Sequence, residues 1–378
     1  MKRYLLTPGP TMIASETLLE MAKPIIHHRA PEFIPLMEEV RENLKWLFGT
    51  KNEVLVFAAS GTGAMEGSVT NTLSPGDKAL VVNGGKFGER WANICKAYGV
   101  NAKVIKVEWG QAVDPKEIEK ALKEDSEIKA VFIQASETST GVMHPTKEIA
   151  DIVKQYENTI LVVDGITGVG VFPLPMDEWG IDILVTGSQK ALMLPPGLAF
   201  AGVSDKAWKM IENSKLPKFY FDFKKELKNI KDNQTAYTPA VSLIVGLSQV
   251  LKEMKKEGLE NIYKRHEQLA KATREGLKAM GLKLFAPDSP SNAVTAVYAP
   301  EGMDAGKIVK FCRDRLGVTI TGGQDHVKGK IFRVAHLGYY DRFDVIVGLS
   351  AIEFALKSLG HQFNFGAGVS KALEILAE

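Results

Sequence analysis

DILVTGSQKALMLPPGLAF (Asp182–Phe200) begins as an apolar run and then turns polar around a single lysine, Lys190. An ammonium group among apolar neighbours is costly unless an opposite charge pairs with it or its pKa falls. A lysine ending a core strand is therefore expected where something consumes or tunes its amine.

Working outward, the segment upstream is TILVVDGI (Thr159–Ile166), another apolar run, closed by Asp164. Before it come VLVFAA (Val54–Ala59), KALVVNGG (Lys78–Gly85), AKVIKVEW and IKAVFIQA, each followed by a stretch with helical spacing. Short β-rich runs alternating with helical patterns predict an α/β fold, with a mainly parallel central sheet covered by helices on both faces. Asp114, followed by Pro115 and with Glu117 three residues on, marks a helix start with capping-box spacing. Thr146 and Asp177 are further candidate starts. After about residue 205 the rhythm changes. Residues 238–281 read as one or two long helices, followed by strand, helix, strand and helix. The expected organisation is an N-terminal segment (1–17), a large domain (18–255) and a smaller α+β C-terminal domain (256–378).

Lysine plus arginine number 47 against 45 aspartates and glutamates, so charge offers no case for nucleic acid or an acidic membrane surface. The two cysteines, Cys95 and Cys312, build no disulfide framework and no metal-ligand spacing. Pro8 and Pro10 interrupt the apolar patch near the start, which speaks against a signal peptide, and no apolar run is long enough to span a membrane. A soluble cytoplasmic protein is expected.

In open parallel sheets ligands bind beyond the carboxyl ends of the strands. The strand ends here read SGTGAMEG (Ser60–Gly67), NGGKFGER (Asn83–Arg90), ETSTG (Glu137–Gly141), DGITG (Asp164–Gly168) and GSQK (Gly187–Lys190). The first runs straight into a helix, so the N–H groups of Gly61, Thr62 and Gly63 and the hydroxyls of Ser60 and Thr62 suit a phosphate. The spacing is not that of the G-x-G-x-x-G dinucleotide fingerprint. A strand-end lysine, a buried acid and a phosphate cradle are together the requirements of pyridoxal 5′-phosphate: an amine for the imine and a carboxylate for the pyridine nitrogen. On this reading Lys190 is spent as an imine and returns as the base that moves the substrate proton.

With SGTGAME, ETSTGV, VVDGITG, GSQKALMLPPG and IFRVAHLG in view, the chain resembles the class V aminotransferases of fold type I. The likeness is to the alanine–glyoxylate and serine–pyruvate group, and it runs from LLTPGPT to FRVAHLGYYDRFD. The resemblance implies Lys190 as Schiff-base lysine and Asp164 as pyridinium partner. It implies phosphate contacts from Ser60, Gly61, Thr62 and Gln189, and a hydroxyl beside the ring oxygen from Thr138. Phe87 stands where some relatives carry tryptophan, and a phenyl ring still stacks with less area. Arg333 matches the arginine that receives the substrate carboxylate, and Gly9 lies in TPGP, the segment lining the substrate side. Thr238 matches a residue reaching the phosphate of a partner subunit. The tyrosine that relatives place three residues before it is Thr235 here, with Tyr237 nearby. A homodimer with shared sites is implied.

The activity expected is transfer of an amino group from alanine or serine to glyoxylate or pyruvate, because a single carboxylate-binding arginine is evident. Aspartate is the alternative donor if a further cation reaches the site. A desulfurase or lyase of the same fold is the second class, but Cys312 and Cys95 both fall on helical apolar positions, whereas a desulfurase needs a mobile exposed thiol. A non-enzymatic binding subunit would be expected to lose the lysine or the aspartate. His27 and His28, adjacent in sequence, do not share a face for a metal.

Overall fold

The structure is a computed structural model, and it describes residues 2–377. Seven strands form the central sheet. In spatial order they are Val54–Phe57, Ala199–Val203, Ile183–Gly187, Ile160–Asp164, Ile128–Gln134, Lys78–Asn83 and Asn101–Lys106. Neighbours run parallel except Ala199–Val203, which is antiparallel to the strand on each side. Ile160–Asp164 and Ile183–Gly187 expose no residue, as strands covered on both faces must. Helices Gly61–Thr72 and Lys86–Ala97 provide part of that cover. This is the fold class the alternating pattern predicts.

Asp114 caps Pro115–Glu124 by accepting from Lys116 N (3.0 Å). The other two predicted starts play different parts. Thr146 is the first residue of its helix, after Pro145, and its hydroxyl donates to the His144 carbonyl (3.3 Å). Asp177, in the short helix Met176–Trp179, accepts with its carboxylate from Thr50 Oγ1 (2.7 Å) and Lys51 N (2.9 Å), tying that helix to the loop after Gly49.

The long helical stretch is two helices, Val241–Glu257 and Leu259–Ala279, separated by Gly258 at φ +83°. That left-handed backbone suits glycine and ends the first helix. Beyond it a second core gathers Leu269, Leu277, Ile308, Phe332, Leu349 and Ile352. Its sheet is antiparallel, with Ile331–Ala335 in the middle between Val294–Tyr298 and Thr321–Gly322. Helices Ala305–Leu316 and Arg342–Ser358 pack against each other beside it.

The N-terminal residues join the two cores. Tyr4–Leu5 pairs in parallel with Val318–Thr319, and Leu6 is buried in the second core. A few residues on, Thr11 Oγ1 donates to the Lys190 carbonyl (2.8 Å) and Thr11 N to the Gln189 carbonyl (3.2 Å). Among the described residues no helix is long and apolar enough to cross a membrane.

Candidate active site

The sheet delivers its polar residues to one place. Ile160–Asp164 lies between Ile128–Gln134 and Ile183–Gly187, so Asp164, its last residue, emerges at the carboxyl end in register with Gln134 and Val185, and it lines one cavity with Lys190. One Asp164 oxygen accepts from Ile166 N (2.8 Å). Burial, helped by the negative charge of Glu137, raises its pKa to about 7; the Ile166 N–H and the positive charges of Arg90 and Lys190 pull the other way. Lys190 is half-buried, and its ammonium donates to the Pro8 carbonyl. Burial lowers its pKa to about 8, opposed by Asp164 and assisted by Arg333 and Arg90.

Both residues line a cavity with Ser60, Gly61, Thr62, Phe87, Thr138 and Gln189. Eight of the residues expected from the sequence thus meet in one hollow. Ser60 precedes the helix Gly61–Thr72 in extended conformation and makes no side-chain cap, leaving its hydroxyl free for a guest. A Cβ on Gly61 would stand 2.5 Å from Ile166 Cδ1, so any larger residue in the turn would have to push the Ile166 side chain aside. Thr138 and Thr167, both lining the cavity, share a hydroxyl hydrogen bond of 2.9 Å.

Gly9 is packed on the lysine: a Cβ there would lie 2.2 Å from Lys190 Nζ. Arg333 stands behind Thr138, donating to its carbonyl through Nη1 (2.9 Å) and to the Gly322 carbonyl through Nε (3.1 Å) and Nη2 (2.8 Å). Burial lowers its pKa to about 10, partly offset by Glu137. Thr238 is elsewhere. It lines a separate hollow with Tyr220, Glu226, Thr235 and Tyr237, and the Tyr237 hydroxyl is committed to the Phe219 carbonyl (2.9 Å).

Three contributors escaped the sequence reading. Arg90 lies on the cavity wall, 3.0 Å from Thr62 Oγ1 and with its guanidinium 4.8 Å from the Phe87 ring centroid. Its place one helical turn beyond Phe87 was the available signal. Glu137, fully buried, accepts from Phe87 N (3.1 Å), Gly88 N (3.0 Å), Ser139 N (3.1 Å) and Ser139 Oγ (2.6 Å). Four donors suit an ionised carboxylate, which only accepts, although burial raises its pKa. The Pro8 carbonyl is the third.

Cys95 and Cys312 are both buried, and burial pushes each thiol up to about 12. His27 and His28 stack on one another, ring centroids 4.6 Å apart, and among the described residues no cluster of three or more ligands could hold a metal.

The donor set fits pyridoxal 5′-phosphate on this structure's own terms. Among the described residues the buried Gln189 Oε1 lacks any hydrogen-bond partner, the Ser60 hydroxyl makes no cap, and a depressed lysine shares the hollow with a buried carboxyl. An orphaned polar atom on a cavity wall marks a place for a polar guest.

Comparison with known proteins agrees. The family model described as Aminotransferase class-V matches residues 3–340. The "Soluble hydrogenase 42 kDa subunit" of Anabaena cylindrica is 46% identical, covering 100% of this chain and 99% of that protein. The "L-aspartate--glyoxylate aminotransferase" of Paracoccus denitrificans is 37% identical, covering 97% and 94%. The "Serine--glyoxylate aminotransferase" of Methylorubrum extorquens is also 37% identical, covering 100% and 96%. The crystal structure of ureidoglycine–glyoxylate aminotransferase from Bacillus subtilis superposes with a TM-score of 0.94 at 28% identity, covering 100% and 99%.

Proposed function

We propose a reaction for this chain from the family to which it belongs, the class V aminotransferases: transfer of the amino group of a small amino acid, serine or alanine, to glyoxylate or pyruvate, in two half-reactions. The observation that carries this reading is the meeting of Lys190 and Asp164 on the wall of one cavity, an amine lowered to about 8 and a carboxyl raised to about 7.

Pyridoxal 5′-phosphate is the cofactor of the family, and when bound it supplies a conjugated ring that draws electrons from the bonds to the substrate Cα. Lys190 Nζ is the group that takes and returns the Cα proton. A pKa near 8 leaves a useful share of free amine near neutral pH, where a base must work. Asp164, given a cationic partner in place of bare apolar surroundings, holds its negative charge and keeps a proton on that partner. Ser60, Gly61, Thr62 and Gln189 bind phosphate, Phe87 covers one ring face, and Thr138 donates to the ring oxygen. Arg333 orients the substrate carboxylate with its flat fork, and Gly9 leaves room for the lysine stem to move.

Three of the similar proteins above are named for glyoxylate, which supports it as acceptor. Aspartate is the second reading for the donor, since Arg90 is a further cation on the cavity wall. We also propose a homodimer in which Thr238 serves the partner's site. Its distance from its own cavity and the exposed apolar surface at Leu19, Ile25 and Phe219 support that arrangement.

The test is the visible spectrum of the cofactor-loaded protein. L-Serine or L-alanine should bleach the visible band and glyoxylate should restore it, with glycine formed. A band that no donor moves would overturn the proposal, and Lys190→Ala should abolish the cycle.

A further inference from the structure

Three charged side chains line the cavity: Lys190, Asp164 and Arg90. The first two are used by the reaction proposed above, and Arg90 is not. A guanidinium has five N–H donors. Arg90 gives one hydrogen bond, Nη1 to Thr62 Oγ1 (3.0 Å), and rests on the Phe87 ring at 4.8 Å. Among the described residues no carboxylate pairs with it. A cation with unspent donors on the wall of a partly enclosed hollow is organised for an anion.

The cofactor brings that anion. A phosphate monoester carries about two negative charges near neutral pH. The groups set out for it, the Ser60 and Thr62 hydroxyls, the Gly61 N–H and the Gln189 amide, are all neutral, and Lys190 is engaged with the reacting carbon. Enclosing a dianion against neutral donors alone leaves its charge uncompensated.

We propose that Arg90 supplies the positive charge opposite the cofactor phosphate, held in place by the Thr62 hydroxyl and the Phe87 ring. Thr62 then has two tasks, since the hydroxyl offered to the phosphate also accepts from the arginine. The Phe87 ring, 4.8 Å from the guanidinium, helps keep it on the cavity wall, a cation–π contact. Arg90 is thereby a cofactor-binding residue, and the aspartate reading loses the cation it would need from this wall.

The test compares two ligands that differ only in the phosphate. Cofactor-free protein is titrated with pyridoxal 5′-phosphate and with pyridoxal, following tryptophan fluorescence and visible absorbance, for wild type, Arg90→Gln and Arg90→Lys. Loss of one charge-assisted hydrogen bond predicts affinity for the phosphorylated ligand about tenfold weaker or more in Arg90→Gln. Pyridoxal affinity should stay unchanged, and Arg90→Lys should recover part of the loss. Equal loss for both ligands would make Arg90 a support of the Phe87 packing and overturn the proposal. Unchanged affinity for both would overturn it too, and a raised KM for L-aspartate alone would assign Arg90 to substrate. If Arg90→Gln does not fold, Arg90→Met carries the same comparison. Failure of the transamination assay leaves these binding results standing, so the two proposals fail separately.

Discussion

Arg333 Nη1 donates a 2.9 Å hydrogen bond to the carbonyl oxygen of Thr138, joining the middle strand of the small sheet to a turn at the carboxyl end of the large one. The same guanidinium holds the Gly322 carbonyl through two further bonds. One side chain thus ties the small sheet to the turn that carries Thr138.

Lysine cannot reproduce that fork. Arg333→Lys keeps the charge but loses the planar donor set, so KM for both amino donor and oxo acid should rise about tenfold or more, with a smaller change in kcat. Steady-state kinetics with L-serine and glyoxylate checks this; an unchanged KM would make Arg333 purely a structural tie.

Gly9 faces the lysine so closely that even a methyl group has no room, and its φ of +129° strains any other residue. Gly9→Ala should lower kcat by at least about tenfold, because the added carbon displaces the reacting amine by a good part of an ångström. Thermal unfolding of the variant, measured beside its activity, separates displacement of Lys190 from collapse of the fold.

Asp164 makes the cofactor-free protein pH-sensitive. Its pKa in the fold, about 7, lies above its ordinary value of 3.8. Between those values the folded chain binds more protons than the unfolded one, so stability falls as pH rises from about 4 to about 7. The slope from this group approaches about 1.4 kcal/mol per pH unit inside the window. Asp164→Asn should remove that contribution, seen as a shallower fall in denaturant-unfolding free energy between pH 5 and 7. A slope identical to wild type would show that Asp164 titrates normally.

The two thiols should be silent in the native protein. With Cys95 and Cys312 buried and each raised to about 12, an aromatic disulfide reagent should titrate neither thiol at neutral pH, and both after denaturation. Rapid labelling of the folded protein would reopen the desulfurase reading.

Lys190 and Asp164 were legible because each interrupts an apolar run at a strand end, and a parallel sheet brings such ends together. The Ser60–Thr62 turn followed from the same rule, whereas Gln189 rested on the family resemblance alone. Arg90 was not legible, since an arginine one turn into a helix has the pattern of a solvated face, and its contact with Thr62 links separate strand–helix units. Glu137 was hidden for a similar reason: two of its four donors are backbone N–H groups on the helix of Phe87, invisible to any residue pattern. The fold class was plain from the alternation, whereas the split at Gly258 depended on one backbone angle. The role assigned to Thr238 concerns a second copy of the chain, and no pattern within one sequence measures a distance between two.

The strand Tyr4–Leu5 has its partner at Val318–Thr319, and the Pro8 carbonyl beside it meets an amine 182 residues further along. As the chain is synthesised, the central sheet can be complete once residue 203 has emerged, with Lys190 and Asp164 already at its edge. The segment that closes over the lysine has no strand to hold it until residue 319 follows. Contacts so distant in sequence form late. A nascent chain therefore carries the Lys190 amine without its Pro8 contact for more than a hundred residues of elongation, and residues 4–8 are among the last to be put in place.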